Sequence, residues 1–188
     1  MTAIRPALAL AFTLAAGSAV AGEWHATILD FDACAVEEHE IGANLLCEGF
    51  RGVTVHVDDF DGRVALGFGN PPKNTDTFGI FNSASDVVLW YAEGDAPPTA
   101  ALAGYVLSVS ESGAPGTWTY RPALVVHQVA RDGVPGCAVG VVDPLVNGDA
   151  MALARAAGEA AGGSDCEEFP AILGLEEGIA PSFNAWSR

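Results

Sequence analysis

Positive charge is the scarcest property of this chain. Its 188 residues hold 8 lysines and arginines against 24 aspartates and glutamates, which gives a net charge of −16 at pH 7. A field of that sign repels nucleic acid and anionic lipid headgroups, so both are poor candidate partners. Cations, basic proteins and neutral glycans stay open as partners, although the simpler explanation is that the charge keeps the protein in solution.

Known catalytic motifs are missing as well. The sequence contains no Gly-x-Ser-x-Gly, no Cys-x-x-Cys and, around its only lysine, Lys73, no Ser-x-x-Lys. Ser108, Ser110 and His127 fall in predicted strands, so a triad assembled only in three dimensions remains an alternative. The many carboxylates make the choice of any glycosidase pair arbitrary. We therefore expect no cofactor and assign no catalytic residue.

Long apolar runs are confined to the N-terminus. Arg5 precedes the apolar stretch 8–16, and Ala19-Val20-Ala21 forms a small-x-small cleavage site. This pattern predicts a signal peptide over residues 1–21 and a single mature domain over 22–188, located in the periplasm or secreted. No later run reaches the roughly 18 apolar residues that a membrane-spanning helix needs.

Four cysteines follow the leader, and export would place them where disulfides persist. Of the three possible pairings we predict Cys34–Cys47 and Cys137–Cys166, because each pair brackets one local unit. The first closes an acidic loop, and the second ties a core strand to the chain just after a helix. Each bridge is worth roughly 3 to 3.5 kcal/mol in the chain-entropy model. The spacing does not fit a compact zinc motif, so no metal site is predicted there.

Alternating side chains predict a β-hairpin between residues 53 and 68. Its apolar set consists of Val53, Val55, Val57, Val64, Leu66 and Phe68. A four-residue loop over 59–62 keeps this set on one face and pairs Val57 with Val64. A two-residue turn would instead pair Val57 with Leu66 and leave Phe60 among the polar positions. We therefore expect the four-residue loop.

The remaining patterns favour strands over helices. Further strands are predicted at 24–31, 87–91, 105–110, 117–120, 124–129 and 137–142, the last two with both faces covered. One helix is predicted over 150–161, capped by Asn147 and ended by Gly162-Gly163, and followed by a docked tail over 167–188. The expected fold is α+β: a mainly antiparallel, sandwich-like or curled sheet with one C-terminal helix and two disulfides.

Other residue groups favour structural roles over sites. The acidic stretch 37–40 is expected to be a solvated loop in which any cation binding is adventitious. Residues 58–62 resemble a calcium loop but lack the alternation of an EF-hand, so a β-turn is the better explanation. His25 and His127 are expected to be partly buried and hydrogen-bonded, and the four histidines do not cluster. Trp24, Trp90, Trp118 and Trp186 are able to line a sugar or peptide groove, but filling the core is the more common role.

Five segments taken in order resemble a family of small exported proteobacterial proteins. They are 29–34, 47–53, 124–126, 137–143 and 147–157, and the likeness covers most of the mature chain up to Cys166. The resemblance implies a periplasmic home and supplies no established activity, so no catalytic residue carries over. The extended acidic C-terminal tail departs from the family pattern.

These observations favour a non-catalytic binding or interaction protein whose partner is a periplasmic protein or a glycan. The alternative is an envelope-polymer hydrolase with a site assembled from distant histidine, serine or carboxylate residues. The predicted interaction surface is the outer face of the hairpin: Thr54, His56, Asp58, Asp59, Asp61 and Arg63. There Asp58 is expected opposite Arg63, and the carboxylates would steer a basic patch. An ordinary solvated strand face is the simpler explanation.

Overall fold

Two stacked β-sheets and one α-helix form three layers. The computed structural model describes residues 22–39, 42–70, 76–110 and 117–184, and the predicted signal peptide lies outside them. The elements are β1 (Gly22–Ile28), β2 (Ala35–His39), β3 (Gly42–Glu48), β4 (Thr54–Phe60), β5 (Arg63–Phe68), β6 (Thr77–Phe78), β7 (Asn82–Glu93), β8 (Ala100–Val109), β9 (Thr119–Gln128), β10 (Cys137–Val142), α1 (Ala150–Ala160), β11 (Ala171–Ile172) and β12 (Phe183–Asn184).

The large sheet has the order β1-β7-β8-β9-β10-β11, and the small sheet has the order β2-β3-β4-β5. All pairs in both sheets are antiparallel except β10–β11. The core between the sheets contains Phe68, Trp90, Tyr105 and Val125. On its other face the large sheet packs Leu102, Val126 and Val142 against Ala150 and Ala154 of α1. The prediction that 124–129 and 137–142 are neighbouring strands with both faces covered is confirmed.

The β4–β5 hairpin has a two-residue turn, so the predicted four-residue loop is wrong. Val57 pairs with Leu66, and Phe60 pairs with Arg63 across the turn. Asp61 and Gly62 both have positive φ, at 50° and 70°. Turns of that kind match the right-handed twist of the flanking strands, and Asp-Gly is a sequence that adopts them readily. Turn geometry therefore overrides the burial of Phe60, which is 60% exposed.

Two further local predictions are wrong. The stretch 37–40 was expected as a loop, yet Glu37 and Glu38 belong to β2, whose backbone hydrogen-bonds to β3 at the edge of the small sheet. Acidic side chains on an edge strand discourage pairing with other chains. Asn147 does not cap α1: the N-cap residue is Asp149, and its side chain makes no capping hydrogen bond.

Both predicted disulfides are present. Cys34–Cys47 and Cys137–Cys166 are 13 and 29 residues apart in sequence. The chain after Cys166 returns to the domain as β11, which pairs with β10, and as β12, which pairs with β6. The predicted fold class, mainly antiparallel β with a single C-terminal helix, is confirmed within the described ranges. None of the helices there combines the length and apolar character that crossing a bilayer requires.

Candidate functional site

An aromatic groove lies where the β4–β5 turn meets the ends of β8 and β9. We use the name aromatic groove for the surface lined by Arg63, Gly79, Ile80, Phe81, Ser108, Val109, Ser110 and Trp118, which encloses about 340 Å³. Backbone hydrogen bonds bring these segments together: Asn82 donates to the Gly62 carbonyl at 3.0 Å, and Ser108 donates to the Phe81 carbonyl at 2.9 Å. Backbone hydrogen bonds between strands and at the β4–β5 turn therefore position the groove.

Two large aromatic rings stand half exposed in this groove. Phe81 is 44% exposed and Trp118 is 47% exposed, and their ring centroids lie 6.2 Å apart in an edge-to-face arrangement. The guanidinium of Arg63 sits 5.1 Å from the centroid of Phe81, a distance at which the ring attracts a cation. Phe81 and Trp118 thus hold each other in orientation while keeping apolar surface in water.

Arg63 is fixed by further contacts. Its Nε donates to the Gly79 carbonyl at 3.2 Å, and its Nη1 donates to Oδ2 of Asp61 at 2.8 Å. The ion pair with Asp61 offsets the positive charge beside the groove. The Arg63 side chain therefore borders the groove as one half of an ion pair.

The groove continues onto an uncovered part of the large sheet. Tyr120 lies opposite Ser108 and Pro122 opposite Val106, and cross-strand partners share a face of a sheet. This is the face that α1 covers farther along, at Leu102 and its neighbours. Here Val106 is 43% exposed and Tyr120 is 70% exposed, so apolar surface extends beyond the groove.

Three of the four segments that form this surface carry no carboxylates, and the fourth, the β4–β5 turn, brings Asp61 against Arg63 at its edge. Residues 77–85, 100–110 and 117–131 contain no aspartate or glutamate, although the chain has 24 of them. Apart from Asp61, which is paired with Arg63, most of the negative charge of the protein therefore lies elsewhere. This surface is an aromatic and hydroxyl-bearing region of an acidic molecule.

The structure brings together part of the predicted hairpin surface. Thr54, His56 and Asp58 share the outer face of the small sheet and are half-buried, with Nε2 of His56 3.0 Å from the Gly69 carbonyl oxygen. Asp59 has the same parity as the core residues Val55 and Val57, so it lies on the other face of the strand.

Arg63 does not lie opposite Asp58 as expected, since Asp58 pairs with Ala65. Arg63 binds Asp61 in the turn and faces the aromatic groove. The outer face of the small sheet, with Thr54, His56 and Asp58, and the aromatic groove are thus separate surfaces that meet at the turn.

His127 is buried in the inter-sheet core. It is 2% exposed, its ring centroid is 4.9 Å from that of Phe68, and its Nε2 has no hydrogen-bond partner. Burial lowers the pKa of His127 to about 3, since a charged imidazole would lose its hydration there. The expectation of a hydrogen-bonded histidine is therefore wrong for this nitrogen.

The geometry does not assemble a serine triad at His127. Its cross-strand partner Ala101 is seven residues from Ser108 along β8, a separation of about 23 Å at the rise of a strand. Three surface cavities, of about 540, 340 and 220 Å³, have no histidine among their described lining residues. Among the described residues no group of three or more histidine, cysteine, aspartate or glutamate side chains is placed to hold a metal ion.

Two buried polar side chains attach the C-terminal tail. Asp143 is fully buried and accepts hydrogen bonds from the backbone of Leu145 and Ile179, both at 2.8 Å, and from Arg121 at 3.3 Å. Asn147 accepts from the Leu175 backbone at 2.9 Å. These hydrogen bonds stabilise the fold, because the partner in each of them is another group of the protein.

The tryptophans divide between core and surface. Trp90 is fully buried and its indole N–H donates to Thr27 at 2.7 Å, whereas Trp24 packs beside α1. Trp186 lies outside the described residues. Only Trp118 among the described three is placed in the groove, and no local pattern distinguishes it from the other two. In the sequence, the signal for apolar surface near the β4–β5 turn is the Asp61-Gly62 pair, because a two-residue turn there exposes Phe60.

No family model, curated protein or solved structure matches this chain. The functional argument therefore depends on the site alone.

Proposed function

We propose that this chain is a non-catalytic, exported binding protein that holds its partner in the aromatic groove. The observation that carries the proposal is the pair Phe81 and Trp118, which are half exposed and yet packed edge to face, with the Arg63 guanidinium over the Phe81 ring. Keeping large aromatic surface in water is unfavourable, and binding sites typically combine such rings with a few placed polar groups. Ser108 and Ser110 supply hydroxyl groups beside the rings.

Two observations support the exported location in this proposal. The two disulfides suit the periplasm or the extracellular space, where such bonds persist. The resemblance to exported proteobacterial proteins points to the same compartment, and the partner would then be a periplasmic protein or an envelope glycan. The hydrolase alternative has weaker support, because His127 is buried far from Ser108.

Affinity capture tests the proposal. The mature chain, residues 22–188, would be immobilised and exposed at physiological salt to periplasmic and envelope extracts. Retained protein and retained carbohydrate would be measured separately for the wild type and for Trp118→Ala. Met151→Ala is the matched control, because Met151 is 43% exposed on α1 and lies outside the groove.

We expect Trp118→Ala to lose the retained material and Met151→Ala to keep it. A partner retained equally by all three proteins would contradict a role for the groove, and no retained material from any extract would contradict the binding function. Measured turnover of an envelope polymer by the wild type would support the hydrolase instead.

A further inference from the structure

We infer that the aromatic groove binds a neutral glycan. This inference rests on the proposed binding function and names the chemical class of its ligand. Pyranose rings present C–H groups with partial positive charge, and the negative face of an aromatic ring attracts such groups. The half-exposed ring of Trp118 offers that kind of surface, and it lies beside Phe81, one face of which the Arg63 guanidinium covers.

Hydroxyl chemistry in the groove favours a polyhydroxy ligand over a purely apolar one. Ser108 and Ser110 line the groove beside Trp118, and Tyr120 stands across the strand from Ser108. A hydroxyl group both donates and accepts hydrogen bonds, which matches the hydroxyl groups of a sugar. An apolar peptide face would leave these groups without matching partners.

Charge decides between neutral and ionic ligands. Three of the four segments that build this surface contain no carboxylate, and in the fourth Asp61 is paired with Arg63. A cationic partner would therefore be attracted to other parts of the surface, for example to the carboxylates of Asp58 and Glu37 on the small sheet. An anionic polymer is repelled by a molecule of net charge −16. A neutral ligand is the class that this surface accepts without an electrostatic cost.

The shape of the groove suggests a segment of a longer chain. Its volume of about 340 Å³ lies at the small end for ligand sites. The apolar face continues past it to Tyr120 and Val106, which are both exposed. A glycan that extends beyond the groove would find further surface there.

Affinity electrophoresis in native gels tests the inference directly. Gels would contain one of four neutral polysaccharides that differ in linkage: hydroxyethyl cellulose, laminarin, dextran or a neutral mannan. Gels with alginate or dextran sulfate provide anionic comparisons. The proteins are the wild type, Trp118→Ala, Trp118→Phe and Met151→Ala.

We expect at least one neutral polysaccharide to retard the wild type and Met151→Ala. Trp118→Ala should weaken that association about tenfold, and Trp118→Phe should restore much of it, because an aromatic face is regained. A merely structural role for Trp118 would not produce rescue together with an unchanged thermal unfolding midpoint.

The failures of the two proposals can be told apart. If no neutral polysaccharide retards the protein while Trp118-dependent capture of a protein partner succeeds, the glycan inference is overturned and the binding function stands. Retardation by alginate or dextran sulfate that depends on Trp118 would also overturn the inference. If both the gels and the capture fail, both proposals fall.

Discussion

The buried imidazole of His127 makes the stability of this protein depend on pH. In the folded state burial lowers its pKa to about 3 from the ordinary 6.5. The unfolded chain therefore binds a proton between these values that the folded state rejects, so stability falls as the pH falls from about 6.5 towards 3. Because the ring is 2% exposed, water offers little screening of this cost.

The expected magnitude follows from about 1.4 kcal/mol per pH unit. Between pH 7.5 and pH 4.5 the free energy of unfolding should drop by about 2.5 to 3 kcal/mol through this one residue. The measurement is urea unfolding of the wild type and of His127→Leu across that range. We expect the difference in free energy of unfolding between the two proteins to change by this amount between pH 7.5 and pH 4.5. The difference at pH 7.5 itself does not affect the test.

Parallel curves for the wild type and His127→Leu over the whole range would refute the reasoning, since they would mean that the imidazole is hydrated in the folded state.

Three further predictions concern stability. Asp143→Ala leaves buried backbone donors unpaired and should cost about 2 to 4 kcal/mol in urea unfolding, whereas Asp149→Ala, which removes no capping bond, should cost under about 0.5 kcal/mol. Gly62→Ala forces a side chain at φ 70° and 3.1 Å from Phe81 and should cost about 1 to 2 kcal/mol, while Gly163→Ala, in open space, should be neutral or mildly stabilising. Replacing both cysteines of Cys137–Cys166 by alanine should cost about 3 to 4 kcal/mol, and an unchanged melting temperature would contradict that estimate.

The predictable part of the fold is the part with local signals. The strand 137–142 and the helix near 150–160 follow from apolar runs and alanine content, and the disulfides follow from bracketing. Apolar patterning alone does not predict the hairpin register, because it favours burial of Phe60. The Asp-Gly turn instead fixes the pairing by its backbone geometry and leaves Phe60 exposed.

Long-range contacts explain the remaining misses. Asparagine is a common helix-cap residue, but the Asn147 side chain instead accepts a hydrogen bond from the backbone of Leu175, 28 residues later. Helix-cap preferences contain no information about a contact that distant in sequence. The aromatic groove joins Arg63, Phe81 and Trp118, which lie on three separate segments. No window of sequence contains all three, so only the register of the sheets could place them together.

The order of strands in the sheets has a consequence for how the chain acquires its structure. β1 pairs with β7 across 59 to 71 residues of sequence, and β6 pairs with β12 across 105 to 107. Pairings that distant in sequence slow folding, because loop closure must precede the contacts that reward it. The disulfides span only 13 and 29 residues, so each can form while the distant strands are still apart. We therefore expect refolding of the oxidised chain to outpace that of the reduced chain, with the final closure of β12 on β6 as the slowest event.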